Sequence, residues 1–169
     1  MASGKVIHMT KHSDPRLCAR EIVSFLDGKP GRALIVSAPL LVGKTELALR
    51  SAYKMAEERR VLYLSTEVHP SVLVNRLTDK CGLNQVSCRD LLFARIEGRP
   101  FEDVCMLISD TMNHIAARQS FDGICTLVSP KNHSIAVIDS LNQFGIELSD
   151  LVKLAQDLNI SILATCAIE

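Results

Sequence analysis

The sequence predicts an α/β fold, a three-layer sandwich in which helices cover both faces of a mostly parallel central sheet. Two observations predict it. Short apolar runs, typical of strands buried on both faces, alternate along the chain with segments whose apolar residues recur at helical spacing. The strongest of these runs occupy residues 33–36, 61–65, 134–140 and 160–166.

Length and composition indicate one globular domain. The chain has 169 residues, of which 47% are apolar and 22% are charged, and this is enough to build one substantial core. We expect residues 1–30 to form a lead-in with one helix and residues 31–169 to form the core. Basic and acidic residues are equal in number, at 19 each, which argues against a protein dedicated to coating polyanions.

The sequence has no apolar segment long enough for a signal peptide or a membrane span. Its six cysteines include no C-x-x-C pair, which favours reduced thiols over a zinc site. These observations predict a cytoplasmic protein with no membrane partner.

Boundary residues define the first elements. Residues 1–15 have no clear periodicity and are expected to be irregular, with Asp14 and Pro15 starting a helix. That helix covers residues 17–26 and ends at the turn sequence of residues 27–31.

The later elements follow from apolar stripes and runs. Helices are predicted from the turn at residue 43 to about residue 58, and over residues 70–81, 101–118 and 147–158. Weaker strands are predicted over residues 91–96 and 124–128, the second of them at a sheet edge. The basic residues along or just beyond the second helix are interpreted as a solvated face: Arg50, Lys54, Arg59 and Arg60.

The turn after the first strong run has the pattern A-x-x-x-x-G-K-T. Gly43 allows the backbone to approach a phosphate closely, and the N–H groups that follow lie at the positive end of a helix. Lys44 is expected to bind the β- and γ-phosphates, and Thr45 to coordinate Mg²⁺. Ala38 stands where the pattern usually has Gly, which requires that φ be negative there. The predicted nucleotide-binding residues are Ala38, Pro39, Leu40, Leu41, Val42, Gly43, Lys44, Thr45 and Glu46.

Two carboxylates follow predicted strands. In an open parallel sheet, ligands bind at the carboxyl ends of the strands. Glu67 is therefore placed to polarise a water beside a γ-phosphate, although its charge would equally favour the start of the next helix. Asp139 is interpreted as holding Mg²⁺ through water opposite Thr45, and the alternative is that it caps an ordinary turn.

These segments, in this order, resemble the RecA-like P-loop ATPase core, and most closely that of the ring-forming, DnaB-like replicative DNA helicases. Residues 38–49, A-P-L-L-V-G-K-T-E-L-A-L, resemble the Walker A motif of those helicases, in which Ala at the first position is familiar. Residues 61–68 resemble the strand that carries their catalytic glutamate, and Arg76 fits the helix that follows. Residues 138–141 resemble Walker B, and residues 154–164 resemble the helix and strand that lead to a sensor position.

The resemblance implies Mg²⁺-dependent binding and hydrolysis of ATP. Carried over to this sequence, Lys44 and Thr45 bind phosphate and Mg²⁺, Asp139 orients the metal, and Glu67 activates the attacking water; Glu67 and Lys44 are then the catalytic residues. The resemblance also implies a role in DNA replication, recombination or repair. The implied partners are single-stranded DNA, a DNA-processing protein and further copies of the chain.

Departures from the family pattern predict that hydrolysis is slow. Ala167 stands where the family has a phosphate-sensing Gln or His. The family's chain continues into a region that supplies an arginine finger, worth ~10³–10⁵ in rate where it operates, and we expect this chain to lack it. The segment after Asp139 carries no Lys or Arg, so independent DNA unwinding is not expected.

Three functional hypotheses remain at this point. The first is a minimal P-loop ATPase with slow turnover. The second is an assembly subunit in which ATP acts as a switch and is hydrolysed little or not at all. The third is a small-molecule kinase with Arg89, Arg95 and Arg99 in its lid, which the segment around Glu67 fits poorly.

Overall fold

The computed structural model describes residues 2–27, 29–79, 81–82, 91–121, 134–142 and 144–168. It confirms the predicted α/β class, because six strands of the described chain form one sheet in which every pairing is parallel. The strand order is β1-β2-β6-β5-β3-β4, and the predicted strand at 124–128 lies outside the described residues. The elements are β1 (Gly4–His8), α1 (Pro15–Leu26), β2 (Ala33–Ala38), α2 (Lys44–Met55), β3 (Val61–Ser65), α3 (Pro70–Asp79), β4 (Leu91–Arg95), α4 (Phe101–Phe121), β5 (Ile135–Asp139), α5 (Leu148–Asp157) and β6 (Ser161–Ala167).

Helices pack on both faces of the sheet. Alternate residues of β2 show this arrangement, since Leu34 belongs to the cluster formed with α1, α2 and α3. Its neighbour Ile35 belongs to the cluster formed with α4 and α5. Strands β2, β3 and β5 are buried along their whole length, and each fully buried Leu or Ile side chain contributes about 1.5–3 kcal/mol.

The N-terminal segment forms a strand, so the prediction of an irregular lead-in is wrong for residues 4–8. Strand β1 pairs in parallel with β2, from Gly4 opposite Ala33 to His8 opposite Ser37. Only Ile7 of this strand is buried. Because β1 lies at the sheet edge, main-chain hydrogen bonds fix it, and its side chains do not have the apolar run that marks an inner strand.

The predicted helix starts agree with the capping groups. Asp14 accepts a hydrogen bond of 2.8 Å from the backbone N–H of Arg16, and Pro15 occupies the first turn of α1, as expected for an N-terminus. At α5, Glu147 and Asp150 form a reciprocal capping box. No helix in the described part of the chain combines the length and apolar composition needed to cross a membrane.

Arg59 does not belong to a solvated face, so this part of the interpretation of the basic residues is wrong. The residue is 2% exposed, and its guanidinium pairs with the carboxylate of Asp27 at the end of α1. The pair joins the C-terminal ends of α1 and α2. The sequence pattern did not indicate it, because the two residues are 32 positions apart.

Candidate active site

The phosphate loop and both carboxylates lie at the carboxyl edge of the sheet. Strands β3 and β5 pair with Ser65 opposite Asp139, so Glu67 and Ser140 follow side by side. The phosphate loop leaves the end of β2, two strands away from β5 in the sheet order. The convergence expected from the strand ends is therefore present.

The loop between β2 and α2 turns through two residues with left-handed backbone geometry. Gly43, the N-cap of α2, has φ 90° and ψ 28°, a conformation that glycine adopts without steric cost. Leu41 has φ 63° and a fully exposed side chain, and such backbone strain in a leucine costs about 1–2 kcal/mol. Ala38 is not among the described residues with positive φ, so it meets the condition set by its lack of glycine.

One cavity of about 370 Å³ brings together the chemistry expected at this edge. Lys44, Thr45, Glu67 and Asp139 all line it. The predicted loop residues that also line it are Leu40, Leu41, Gly43 and Glu46, whereas Ala38, Pro39 and Val42 are not among its lining residues.

The side chain of Lys44 folds back over its own loop. Its Nζ donates hydrogen bonds to the backbone oxygens of Ala38, at 3.2 Å, and Pro39, at 3.0 Å. These neutral acceptors are weaker partners for an ammonium group than phosphate oxygens would be. The ammonium therefore lies inside the loop, within a short rearrangement of a ligand in the cavity.

Asp139 is held by two hydroxyl groups that sequence reasoning missed. The carboxylate is 6% exposed. Tyr63 donates to its Oδ2 at 2.7 Å, and Thr165 donates to its Oδ1 at 2.6 Å. Burial, and then the negative charge of Asp139, raises the pKa of Tyr63 well above its usual value of 10.0, so this phenol remains a donor. The only signal in the sequence was a lone hydroxyl in each of two apolar strands.

Glu67 is exposed but is not isolated. Its Oε1 accepts hydrogen bonds from Ser140 Oγ at 2.9 Å and from Asn142 Nδ2 at 3.5 Å. The neighbouring Thr66 hydroxyl accepts from the backbone N–H of Ser140 at 2.9 Å and donates to its carbonyl oxygen at 3.0 Å. The end of β3 is thereby fixed to the end of β5.

Among the described residues that line the cavity, three carboxylates face two cations: Glu46, Glu67 and Asp139, with Lys44 and Arg76. Arg76 lies 3.9 Å from the carboxylate of Glu46. The described chain has no cluster of three or more histidine, cysteine or acidic side chains suited to hold a metal. Mg²⁺ does not require such a cluster, since it is commonly held by one or two carboxylates, waters and substrate phosphates.

Comparison with known proteins gives matches at the level of structure. No protein-family model matches the sequence, and no curated protein matches it. The structure of a DnaB-like replicative helicase, reported with its interactions with primase, is similar with a TM-score of 0.61 and 16% identity. That alignment covers 83% of this chain and 41% of the helicase chain. The ATPase domain of a second helicase is similar with a TM-score of 0.62 and 14% identity, over 99% of this chain and 66% of that one.

Both matches and the all-parallel sheet decide the fold. This chain has a RecA-like fold. The resemblance found in the sequence is confirmed at this level, with a core of the helicase ATPase type. This chain spans less than half of the length of the DnaB-like helicase and about two thirds of the second helicase's ATPase domain.

Two other cavities of the RecA-like fold lie away from these residues. The larger, of about 700 Å³, lies between α1 and α2 and is lined by none of the predicted site residues. Another is lined by Arg95 and Arg99, which pair with Glu97 and Asp103. Arg89 lies outside the described residues. The arginines of the kinase hypothesis therefore do not line the cavity that contains Lys44, as far as the structure describes them.

Proposed function

We propose that this chain binds Mg²⁺·ATP in the cavity at the carboxyl edge of its sheet and hydrolyses the ATP slowly. One observation carries the proposal: Lys44, Thr45, Glu67 and Asp139 come from three separate segments of the chain and line one cavity. The nucleotide-binding ATPase fold of the structural neighbours supports it.

Phosphate binding is assigned to the loop before α2. Its backbone N–H groups and the positive end of α2 attract a triphosphate, and the left-handed Gly43 leaves the loop open to it. On binding, Lys44 exchanges the carbonyl oxygens of Ala38 and Pro39 for the β- and γ-phosphates.

Thr45 and Asp139 are the residues that would hold Mg²⁺. A hydroxyl and a carboxylate are both oxygen donors of the kind this ion takes, and both line the cavity. When bound, the ion neutralises charge on the phosphate oxygens. Tyr63 and Thr165 orient the Asp139 carboxylate for this role through their hydrogen bonds.

Glu67 is assigned as the general base. It takes a proton from a water whose oxygen forms a bond to the γ-phosphorus. The bond from that phosphorus to the bridging oxygen breaks, and ADP leaves with the electron pair. We expect slow turnover because Arg76 is the one arginine that lines the cavity in the described chain, and it lies beside Glu46.

The proposal is tested by measuring phosphate release together with the binding of a fluorescent ATP analogue in the presence of Mg²⁺. Lys44→Ala should weaken nucleotide binding and abolish turnover. Glu67→Gln should keep the binding affinity and lower kcat by about 10²–10⁴-fold, the usual contribution of a general base.

Matched controls make the same chemical changes elsewhere. Lys153→Ala on α5 and Glu102→Gln on α4 replace exposed side chains outside the cavity, and both should leave binding and turnover unchanged. A wild-type rate that neither Lys44→Ala nor Glu67→Gln alters would refute the proposal.

A second candidate function is a nucleotide-dependent assembly subunit with little or no hydrolysis. The observation that favours it is an apolar surface beside the cavity, formed by Leu40, Leu41 and Ile168; Leu40 is 72% exposed and Leu41 fully exposed. Exposed apolar residues grouped in this way are typical of a protein contact. This candidate predicts tight binding of ATP by the wild type without release of phosphate.

We further propose that the chain acts in DNA replication, recombination or repair, with single-stranded DNA, a DNA-processing protein or further copies of itself as partners. The likeness to a replicative helicase supports this assignment. Size-exclusion chromatography with and without Mg²⁺·ATP and single-stranded DNA tests the DNA and self-association parts. The elution volume should decrease when either partner binds, and identical elution in every condition would contradict both.

A further inference from the structure

The two carboxylate oxygens of Glu67 lie in different surroundings. Oε1 accepts from Ser140 Oγ at 2.9 Å and from Asn142 Nδ2 at 3.5 Å. No hydrogen bond reaches Oε2 from any residue in the described ranges of the chain. The side chain is therefore held through one oxygen, and the other remains open to the cavity.

Both donors stand on a segment that is itself fixed. Asn142 Oδ1 accepts from the backbone N–H of Ala167 in β6 at 2.8 Å. The backbone N–H of Leu141 donates to the carbonyl of Thr165 at 2.8 Å, and the backbone of Ser140 is bonded on both sides to the hydroxyl of Thr66. Their hydrogen-bonding groups are thus oriented by β3 and β6 before any ligand binds.

We infer that Ser140 and Asn142 are positioning residues that hold Oε1 of Glu67 so that Oε2 accepts the proton of the attacking water. This inference rests on the proposed hydrolysis of ATP, in which Glu67 is the base. A glutamate side chain on the surface otherwise exchanges among several rotamers. Fixing one oxygen raises the fraction of time in which the other points to the water, and this raises kcat without adding a contact to the nucleotide.

Each donor makes a different contribution. Removal of the shorter bond by Ser140→Ala should lower kcat about tenfold, and removal of the longer bond by Asn142→Ala about fivefold, as expected for hydrogen bonds to a charged group at a partly exposed site. The dissociation constant of the ATP analogue should change by less than about twofold, because neither bond involves the nucleotide.

Asn142→Asp separates positioning from loop anchoring. Aspartate keeps the oxygen that accepts from the N–H of Ala167, so the loop anchor is preserved. It replaces the amide donor by a second carboxylate beside Glu67, which repels Oε1. If Asn142 positions Glu67, this variant should lose at least as much kcat as Asn142→Ala; if Asn142 only anchors the loop, it should match the wild type.

The decisive experiment combines steady-state kinetics with a double-mutant cycle. Ser140→Ala should lower kcat in the wild type but have no further effect in the Glu67→Gln background, since its action passes through Glu67. Ser140→Thr keeps the hydroxyl and should restore most of the rate. Asn75→Asp, at an exposed position on α3, is the matched control and should leave the rate unchanged. Thermal unfolding of each variant identifies any loss of rate that comes from misfolding.

The outcomes distinguish this inference from the proposed function. If the wild type hydrolyses ATP and Ser140→Ala and Asn142→Asp both keep its kcat, positioning is refuted and hydrolysis stands. If the two variants lower kcat equally in the Glu67→Gln background, they act independently of Glu67 and the inference fails. If the wild type binds ATP without releasing phosphate, the proposed hydrolysis fails, and the inference fails with it.

Discussion

Replacing Thr165 by valine tests how the buried carboxylate of Asp139 is stabilised. Thr165 is fully buried and its hydroxyl donates to Oδ1 of Asp139 at 2.6 Å. Valine has nearly the same shape, so the substitution removes the donor and leaves no cavity. Any loss of stability therefore measures the hydrogen bond rather than the packing.

The expected loss follows from the geometry of this bond. A hydrogen bond to a charged group contributes about 1.5–3 kcal/mol to stability. Because Tyr63 still donates to the other oxygen of Asp139, we expect about 2 kcal/mol, in the middle of that range. For a chain of this size, each kcal/mol lowers the melting temperature by about 2–4 °C, so Tm should fall by about 4–8 °C.

Urea and thermal unfolding at about pH 7 measure this loss. Thr78→Val makes the same change at an exposed position on α3, where the hydroxyl donates to the carbonyl of Val74 at 3.3 Å, and it should change stability by less than about 0.5 kcal/mol. A Thr165→Val protein with wild-type stability and an unchanged denaturant slope would refute the reasoning, since the carboxylate would not depend on this donor.

Two further predictions concern buried polar groups. The folded state holds the proton of Tyr63 above its usual pKa of 10.0, whereas the unfolded chain releases it there. Wild-type stability should thus fall as pH rises beyond about 10, by up to about 1.4 kcal/mol per pH unit, and the stability difference from Tyr63→Phe should narrow. A difference that stays constant up to about pH 11 in urea unfolding would contradict this. Asp27→Ala removes the carboxylate that pairs with the buried Arg59 and should cost about 1–2 kcal/mol, because Asp27 is itself partly exposed. Glu57→Ala, which breaks an exposed pair with Lys54, should cost less than about 1 kcal/mol; equal losses in the two variants would contradict the buried pair.

The inner strands could be predicted from the sequence because burial on both faces leaves a continuous apolar run. β3 has the predicted bounds, residues 61–65. Strand β1 could not be predicted in the same way, since it has one buried residue, Ile7. Its order depends on main-chain bonds to β2, and every residue type except proline offers those in full.

The phosphate loop could be predicted because its chemistry is contiguous in the chain. The residues around Asp139 could not, because they come together only in the folded sheet. Tyr63 is 76 positions from Asp139, and Thr165 is 26 positions away. Asn142 is 75 positions from Glu67. Their contacts depend on which strands are neighbours and in which register they pair, and a single sequence does not give that information.

The place of β6 in the sheet has a consequence for synthesis of the chain. β6 is the last of the described strands in sequence but lies between β2 and β5. Until residues 161–167 leave the ribosome, the nascent chain can form only two separate part-sheets, β1-β2 and β5-β3-β4, each with an unpaired inner edge. The phosphate loop belongs to one part-sheet and both carboxylates to the other. ATP therefore cannot meet a complete set of ligands before β6 has been inserted, and the capacity to bind nucleotide would report that translation has passed this strand.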